Sequence, residues 1–167
     1  MAITLARVDD RVIHGQTTTR WTKVRDLFGI IVVSDKVAND ELRKKVLKAA
    51  AGQYKLGIFN EEVGVSKIKQ ALESDKSYFI ISDSPQNFAN IVRLGGDFGG
   101  VLNIGCMNTR PGAISLGRTT AIDDKDYEAF QYLSDQGIKL EFQVIPSDPI
   151  RSWDTIKKLY DEAKNEK

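Results

Sequence analysis

The run Leu27-Phe28-Gly29-Ile30-Ile31-Val32-Val33 is apolar throughout and β-branched over its last four residues, and a polar stretch and then a helical pattern follow it at once. A strand of this kind has no polar face to offer to water, so it belongs inside a sheet covered on both sides. The same succession of strand, polar turn and helix recurs along the chain, and this repetition is what most narrows the choice of fold.

Residues 3–8 open the chain as a strand. Residues 40–51 place Leu42, Val46, Leu47 and Ala50 at helical spacing, with Glu41, Arg43, Lys44, Lys45 and Lys48 largely opposite, which predicts an amphipathic helix with those four residues on its apolar face. Strands follow over 54–59, 78–82 and 101–104, with helices over 65–73 and 84–94, the second begun by Ser84-Pro85. Residues 95–100, Gly-Gly-Asp-Phe-Gly-Gly, read as a connector, since they fit neither dinucleotide nor phosphate-loop glycine spacing. Residues 123–136 begin with an acidic turn and stop at Gly137, an alternating strand runs from 138 to 144, and residues 153–163 make the last helix. Strands and helices taking turns imply right-handed crossovers, hence an α/β fold: a doubly wound, mostly parallel sheet with helices on both faces. Residues 113–121 are a short extended segment and the expected antiparallel edge strand.

At 167 residues the chain suits one domain, 1–167, large enough to bury a core. Its 24 Lys and Arg against 23 Asp and Glu leave a net charge of +1, so nothing draws it to nucleic acid. The single Cys106 has no internal disulfide partner, the chain opens with no charged and apolar leader pattern, and no apolar run is long enough to cross a bilayer. A cytoplasmic location is expected.

The chemistry concentrates in Arg7-Val8-Asp9-Asp10-Arg11-Val12-Ile13-His14-Gly15-Gln16, directly after the first strand and therefore at the edge where α/β folds carry their sites. His14 is the only histidine, too few for most zinc sites, and no metal or cofactor is expected. A phosphoryl carrier needs only one: a neutral imidazole nitrogen attacks well near neutral pH, and its phosphoramidate passes the group on. Transfer is then mainly positioning and charge stabilisation, for which Arg7 and Arg11 offer guanidinium forks. A helix starting near Gly15 would add backbone N–H groups toward the same phosphate. Asp9 or Asp10 is placed to orient the ring or to hold an arginine. The residues alone are equally compatible with a solvated cluster of surface ion pairs.

This ten-residue segment, with Trp21 after it, resembles the R-I-D-D-R-L-I-H-G-Q signature of the IIB proteins of the mannose/fructose/sorbose phosphotransferase family, and Asn103-Ile104-Gly105-Cys106-Met107 is similar to that family's N-V-G-G-M segment. The resemblance runs through residues 137–146 and covers essentially the whole chain. It implies a phosphocarrier in which His14 takes a phosphoryl group from a phosphorylated IIA protein and passes it to a sugar held by membrane subunits IIC and IID, with the chain peripheral to the permease. It also implies that Arg7, Arg11, Gly15 and Gln16 hold the phosphate, with Asp9 and Asp10 in support. Cys106 stands where the family often has a second glycine. The expected oligomeric state is a monomer or a weak dimer.

Two rival readings use the same residues. In a receiver-like switch, Asp9-Asp10 would bind Mg²⁺ while Asp35 or Asp83 accepts phosphate, although arginines flank the acidic pair and no lysine follows the 101–104 strand. A Ser-His-Asp hydrolase drawn from His14 with Ser34 or Ser82 lacks the G-x-S-x-G elbow.

Overall fold

The computed structural model describes residues 2–166, apart from the side chain of Gln16. Its elements are β1 (Ile3–Val8), α1 (Gly15–Thr19), a 3₁₀ turn (Trp21–Lys23), β2 (Gly29–Val33), α2 (Asp35–Ala38), α3 (Glu41–Ala51), β3 (Lys55–Phe59), α4 (Glu61–Leu72), β4 (Tyr78–Ser82) and α5 (Pro85–Arg93). Then come β5 (Val101–Ile104), β6 (Ile114–Ser115), β7 (Ala121–Ile122), α6 (Asp124–Asp135), β8 (Lys139–Phe142), β9 (Arg151–Ser152) and α7 (Trp153–Asn165). The main sheet runs β3-β2-β4-β1-β5-β8-β9 and is parallel except for β9.

The sheet divides the core in two. Ile30 and Val32 of β2 and Phe79 and Ile81 of β4 meet Trp21, Val37, Leu47 and Ala51 on one face. Ile31, Val33 and Ile80 point the other way, toward Ile68 of α4, Phe88 and Ile91 of α5, Phe130 of α6 and Trp153 and Ile156 of α7. The period-two alternation of a strand accounts for this, and it is why the apolar run of β2 needs cover on both sides. β1 breaks the rule once. A register shift between Ile3 and Leu5 turns Ile3 to the face of Ala6 and Val8, so that Leu5 and Arg7 share the opposite one.

Polar caps start the helices where the strands end. Ser34 accepts from the Val37 N–H, Asp40 from Arg43, Asn60 from Val63, and Asp123 forms a reciprocal capping box with Asp126. Crossovers toward β3 carry α1, α2 and α3 on one face, and those running the other way carry α4, α5 and α6 on the other. β1 therefore exits to the opposite side from its neighbours β4 and β5. Between diverging exits the sheet edge is open, the usual place for a site in this architecture.

Two expectations are corrected. The antiparallel edge strand is β9, while Ile114–Ser115 and Ala121–Ile122 form a separate two-stranded ribbon. β9 already takes the free side of β8, leaving Ile114–Ser115 and Ala121–Ile122 to pair with each other. In α3, Leu42 and Val46 face solvent, and the buried stripe is Leu47 and Ala51. The helix is turned so that Arg43 reaches the loop after β1, which takes Leu42 and Val46 off the core side.

Candidate functional site

The loop after β1 is clamped from both neighbouring strands. The Asp9 N–H donates to Ser82 O at the end of β4, and the Asp10 N–H donates to Cys106 O beyond β5, each at 2.9 Å. Val12 has φ 60°, a left-handed conformation that a β-branched side chain rarely accepts. Its complete burial and its N–H bond to Asp9 O at 2.9 Å hold it there. This strained turn is what brings the chain back so that His14 faces Asp9.

His14 Nε2 lies 3.0 Å from Asp9 Oδ2, and the ring is partly buried, with 13% of the side chain exposed. The same oxygen accepts from Arg7 Nη2 at 3.1 Å, while Oδ1 accepts from the Arg11 N–H at 3.1 Å. Burial alone would raise the Asp9 pKa, but the His14 hydrogen bond and the charges of Arg7 and His14 outweigh it and hold the carboxyl below its usual range. An ionised Asp9 in turn fixes the ring through Nε2, and Nδ1 is left as the nitrogen without this anchor.

Arg7 is placed differently from the expectation that it grips a phosphate. It lies wholly beneath the loop, because it shares with Leu5 the face of β1 that Trp21 covers. Nη1 donates to Asn103 Oδ1 and, at 3.1 Å, to Gln143 O; Nη2 donates to Asp9 and, at 2.8 Å, to Val144 O. Its charge sits 5.1 Å from the centre of the Trp21 ring, whose Nε1 donates to the same Val144 carbonyl at 3.1 Å. Burial pushes the Arg7 pKa down and Asp9 opposes the shift.

Arg11 is exposed at the outside of the loop, with Nη2 3.9 Å from Cys106 Sγ. Burial, assisted by Asp9, pushes the Cys106 thiol up, so the neutral thiol is the form beside Arg11. Asp10 turns away from Asp9: its Oδ2 accepts from the Asn108 N–H at 2.6 Å, and its carbonyl accepts from Arg43 Nη2 at 2.9 Å. His14 O accepts the N–H groups of Thr17 and Thr18, which puts the histidine at the head of α1, a helix of only five residues with little dipole to lend. Gly15 begins that helix with open space around it. Gln16 follows in the backbone, and its side chain lies outside the described residues.

Five residues at the site carry no role in the sequence reading: Asn103, Gly105, Trp21 and, through their carbonyls, Gln143 and Val144. Asn103 had a signal, being the one polar residue in the buried strand Val101-Leu102-Asn103-Ile104. Gly105 is small for a reason: a Cβ there would strike the Arg7 guanidinium and lie 2.8 Å from Asp9 Oδ2. The serines of the hydrolase reading are engaged elsewhere, Ser34 capping α2 and Ser82 accepting from Asn87 Nδ2 at 2.7 Å. Asp83 binds Asn87 and Arg43, and Asp35 accepts from the Glu61 N–H. A polar cleft of ≈ 560 Å³ opens on the Asp10 side of the loop, between Arg43, Asp83, Arg110 and Asp126.

Comparison with known proteins bears on this geometry. The family model for the sorbose subfamily IIB component of the phosphotransferase system (PTS) matches residues 3–167. The sorbose-specific EIIB component of Klebsiella pneumoniae is 39% identical over 150 residues, covering 89% of this chain and 91% of that protein. The mannose-specific EIIAB component of Escherichia coli (strain K12) is 37% identical over 164 residues, 95% of this chain and 50% of that longer protein. The crystal structure of the IIBSor domain of the sorbose permease from Klebsiella pneumoniae matches with a TM-score of 0.86 at 37% identity, over 97% of this chain and 98% of the other. No helix among the described residues is long and apolar enough to cross a membrane. The chain belongs to the sorbose subfamily of PTS IIB components, phosphotransferase proteins of sugar uptake.

Proposed function

We propose that the chain, acting as one phosphocarrier domain at the cytoplasmic side of a permease, takes a phosphoryl group on His14 from a phosphorylated IIA protein and delivers it to a sugar held by the membrane subunits IIC and IID. The observation that carries this reading is the Arg7–Asp9–His14 chain of contacts, which anchors one ring nitrogen and leaves the other for chemistry.

The Nδ1 lone pair attacks phosphorus in line, and the nitrogen of the donor phosphohistidine leaves with the electron pair of the broken P–N bond. Phosphorylation at Nδ1 leaves the ring cationic while Nε2 keeps its proton, and the Asp9 carboxylate is the counterion already in place. Arg7 acts through Asp9 as a positioning residue. The exposed Arg11 is the loop arginine that meets the equatorial oxygens, with the backbone at Gly15 and Gln16 beside it. In the second step a sugar hydroxyl oxygen attacks the same phosphorus and gives up its proton to solvent, while the electron pair of the broken P–N bond returns to Nδ1.

Intact-mass spectrometry after incubation with phosphoenolpyruvate, the general phosphotransferase components and the cognate IIA tests the reading. One acid-labile, base-stable phosphate is expected on the wild type and none on His14→Ala. A stoichiometric phosphate retained by His14→Ala moves the acceptor elsewhere and refutes the assignment.

A further inference from the structure

Helix α3 presents to solvent a stripe that its own fold does not use. Leu42 is 73% exposed and Val46 59% exposed. They lie one turn apart, and Lys45 and Ala49 complete an exposed stripe at i, i+3, i+4 and i+7. The helix that bears the stripe is tied to the site: α3 follows β2 and the short α2 at the sheet edge that carries the His14 loop, and it packs against α1. Arg43, next to Leu42 in the chain, holds the loop by its Asp10 carbonyl at 2.9 Å. The helix is also locally basic in a chain of net charge +1, with Arg43, Lys44, Lys45 and Lys48 against Glu41. Lys44 pairs with Glu41 and Arg43 with Asp83, whereas Lys45 and Lys48 form no ion pair among the described residues.

We infer that this face, Leu42 and Val46 with Lys45 and Lys48 at its rim, is the docking surface for the phosphorylated donor protein, which presents an apolar patch with an acidic border; the inference rests on the reading of His14 as acceptor. In-line transfer brings two histidine rings to opposite sides of one phosphorus, so the donor covers the surroundings of His14. Exposed apolar side chains on the helix whose Arg43 holds the loop supply contact, and the lysines outside any ion pair among the described residues attract the negatively charged phosphoryl group of the donor. Transfer then reverses that attraction. The phosphoryl charge moves onto this chain beside its own cations, the donor loses it, and the complex loosens after the reaction. A bilayer is the less suited occupant, since the stripe has two modest apolar side chains and none of the large aromatic residues that anchor interfacial helices.

The test is the initial rate of His14 phosphorylation against phospho-IIA concentration for the wild type, the Leu42→Ser/Val46→Ser double variant and the Lys45→Glu/Lys48→Glu double variant. Each double variant should raise KM by about tenfold with kcat little changed, as loss of interface anchors does. The lysine variant should also flatten the salt dependence of kcat/KM. Labelling by the small donor phosphoramidate should stay at the wild-type rate in both, which separates docking from damage to the loop. Wild-type KM in both double variants overturns the proposal. So does a serine variant that keeps its KM and loses only its binding to phosphatidylglycerol vesicles, since the face would then meet the membrane. A wild-type chain that takes no phosphate at His14 from either donor overturns the acceptor reading, and the docking proposal with it.

Discussion

Replacing Gly105 by alanine tests whether the buried Arg7–Asp9 pair is as rigid as its contacts imply. The new Cβ would lie 2.5 Å from Arg7 Cζ and 2.8 Å from Asp9 Oδ2. Carbon–carbon contact ordinarily begins near about 3.5 Å, so the methyl overlaps the guanidinium by about 1 Å. Neither partner has somewhere to go. Both are fully buried, and Arg7 is tied to Asn103, Gln143 and Val144 as well as to Asp9. Overpacking costs about 1–3 kcal/mol and separating a buried ion pair about 3–5 kcal/mol, so a loss of about 3 kcal/mol is expected. For a chain of this length that lowers Tm by about 6–12 °C. Thermal and chemical denaturation measure the loss, and phosphorylation of His14 by phospho-IIA should slow in parallel because Asp9 is displaced. An Arg7→Met background should recover part of the cost, since the guanidinium atoms that clash are then gone while the Asp9 contact remains. Gly15→Ala is the control: nothing lies within 4 Å of its Cβ, and alanine in the first turn should be neutral or stabilise by up to about 1 kcal/mol. A Gly105→Ala chain with wild-type Tm and transfer rate refutes the claim that the pair is held in place.

Arg11→Ala should slow transfer by about a hundredfold, as removal of a charge-stabilising donor does, while its exposed position keeps the stability change within about 0.5 kcal/mol; stopped-flow transfer at wild-type rate removes it from the mechanism. Asp9 links stability to pH. With its folded pKa depressed, its contribution is complete above the unfolded value of about 3.9 and disappears as pH falls toward the folded one. The difference in denaturation midpoint between wild type and Asp9→Asn should therefore be constant above about pH 5 and shrink below about pH 4. A difference that persists unchanged into strong acid would show that charge on Asp9 is not what stabilises the loop.

The alternation of strand and helix was readable from periodicity, because a sheet with helices on both faces leaves β2 and β4 little exposed side and so fills their middles with apolar residues, Ile30 to Val33 and Phe79 to Ile81. The starts at Asp40 and Asp123 were equally local, and so was the place of the His14 loop at the end of the first strand, whereas α4 begins at Glu61 behind the Asn60 cap, ahead of the start read at 65. What the residues alone left open was division of labour within that loop. Arg7 and Arg11 look alike in sequence, four positions apart, yet Arg7 still belongs to β1 and is buried under the sheet edge, whereas Arg11 lies in the loop beyond the strand and is left in solvent. Asp9 and Asp10 are adjacent and chemically identical, but the strained turn at Val12 sends His14 back to Asp9, and Asn108, ninety-eight positions away from Asp10, takes the other carboxylate. Apolar spacing in α3 placed Leu42 and Val46 in the core, and only the rotation of the packed helix put them outside. Local sequence determines which elements form, since capping and periodicity act over a few residues. Which of two like side chains is buried, charged against a partner or turned to solvent depends on neighbours far along the chain, and that is decided only when the sheet closes around Arg7.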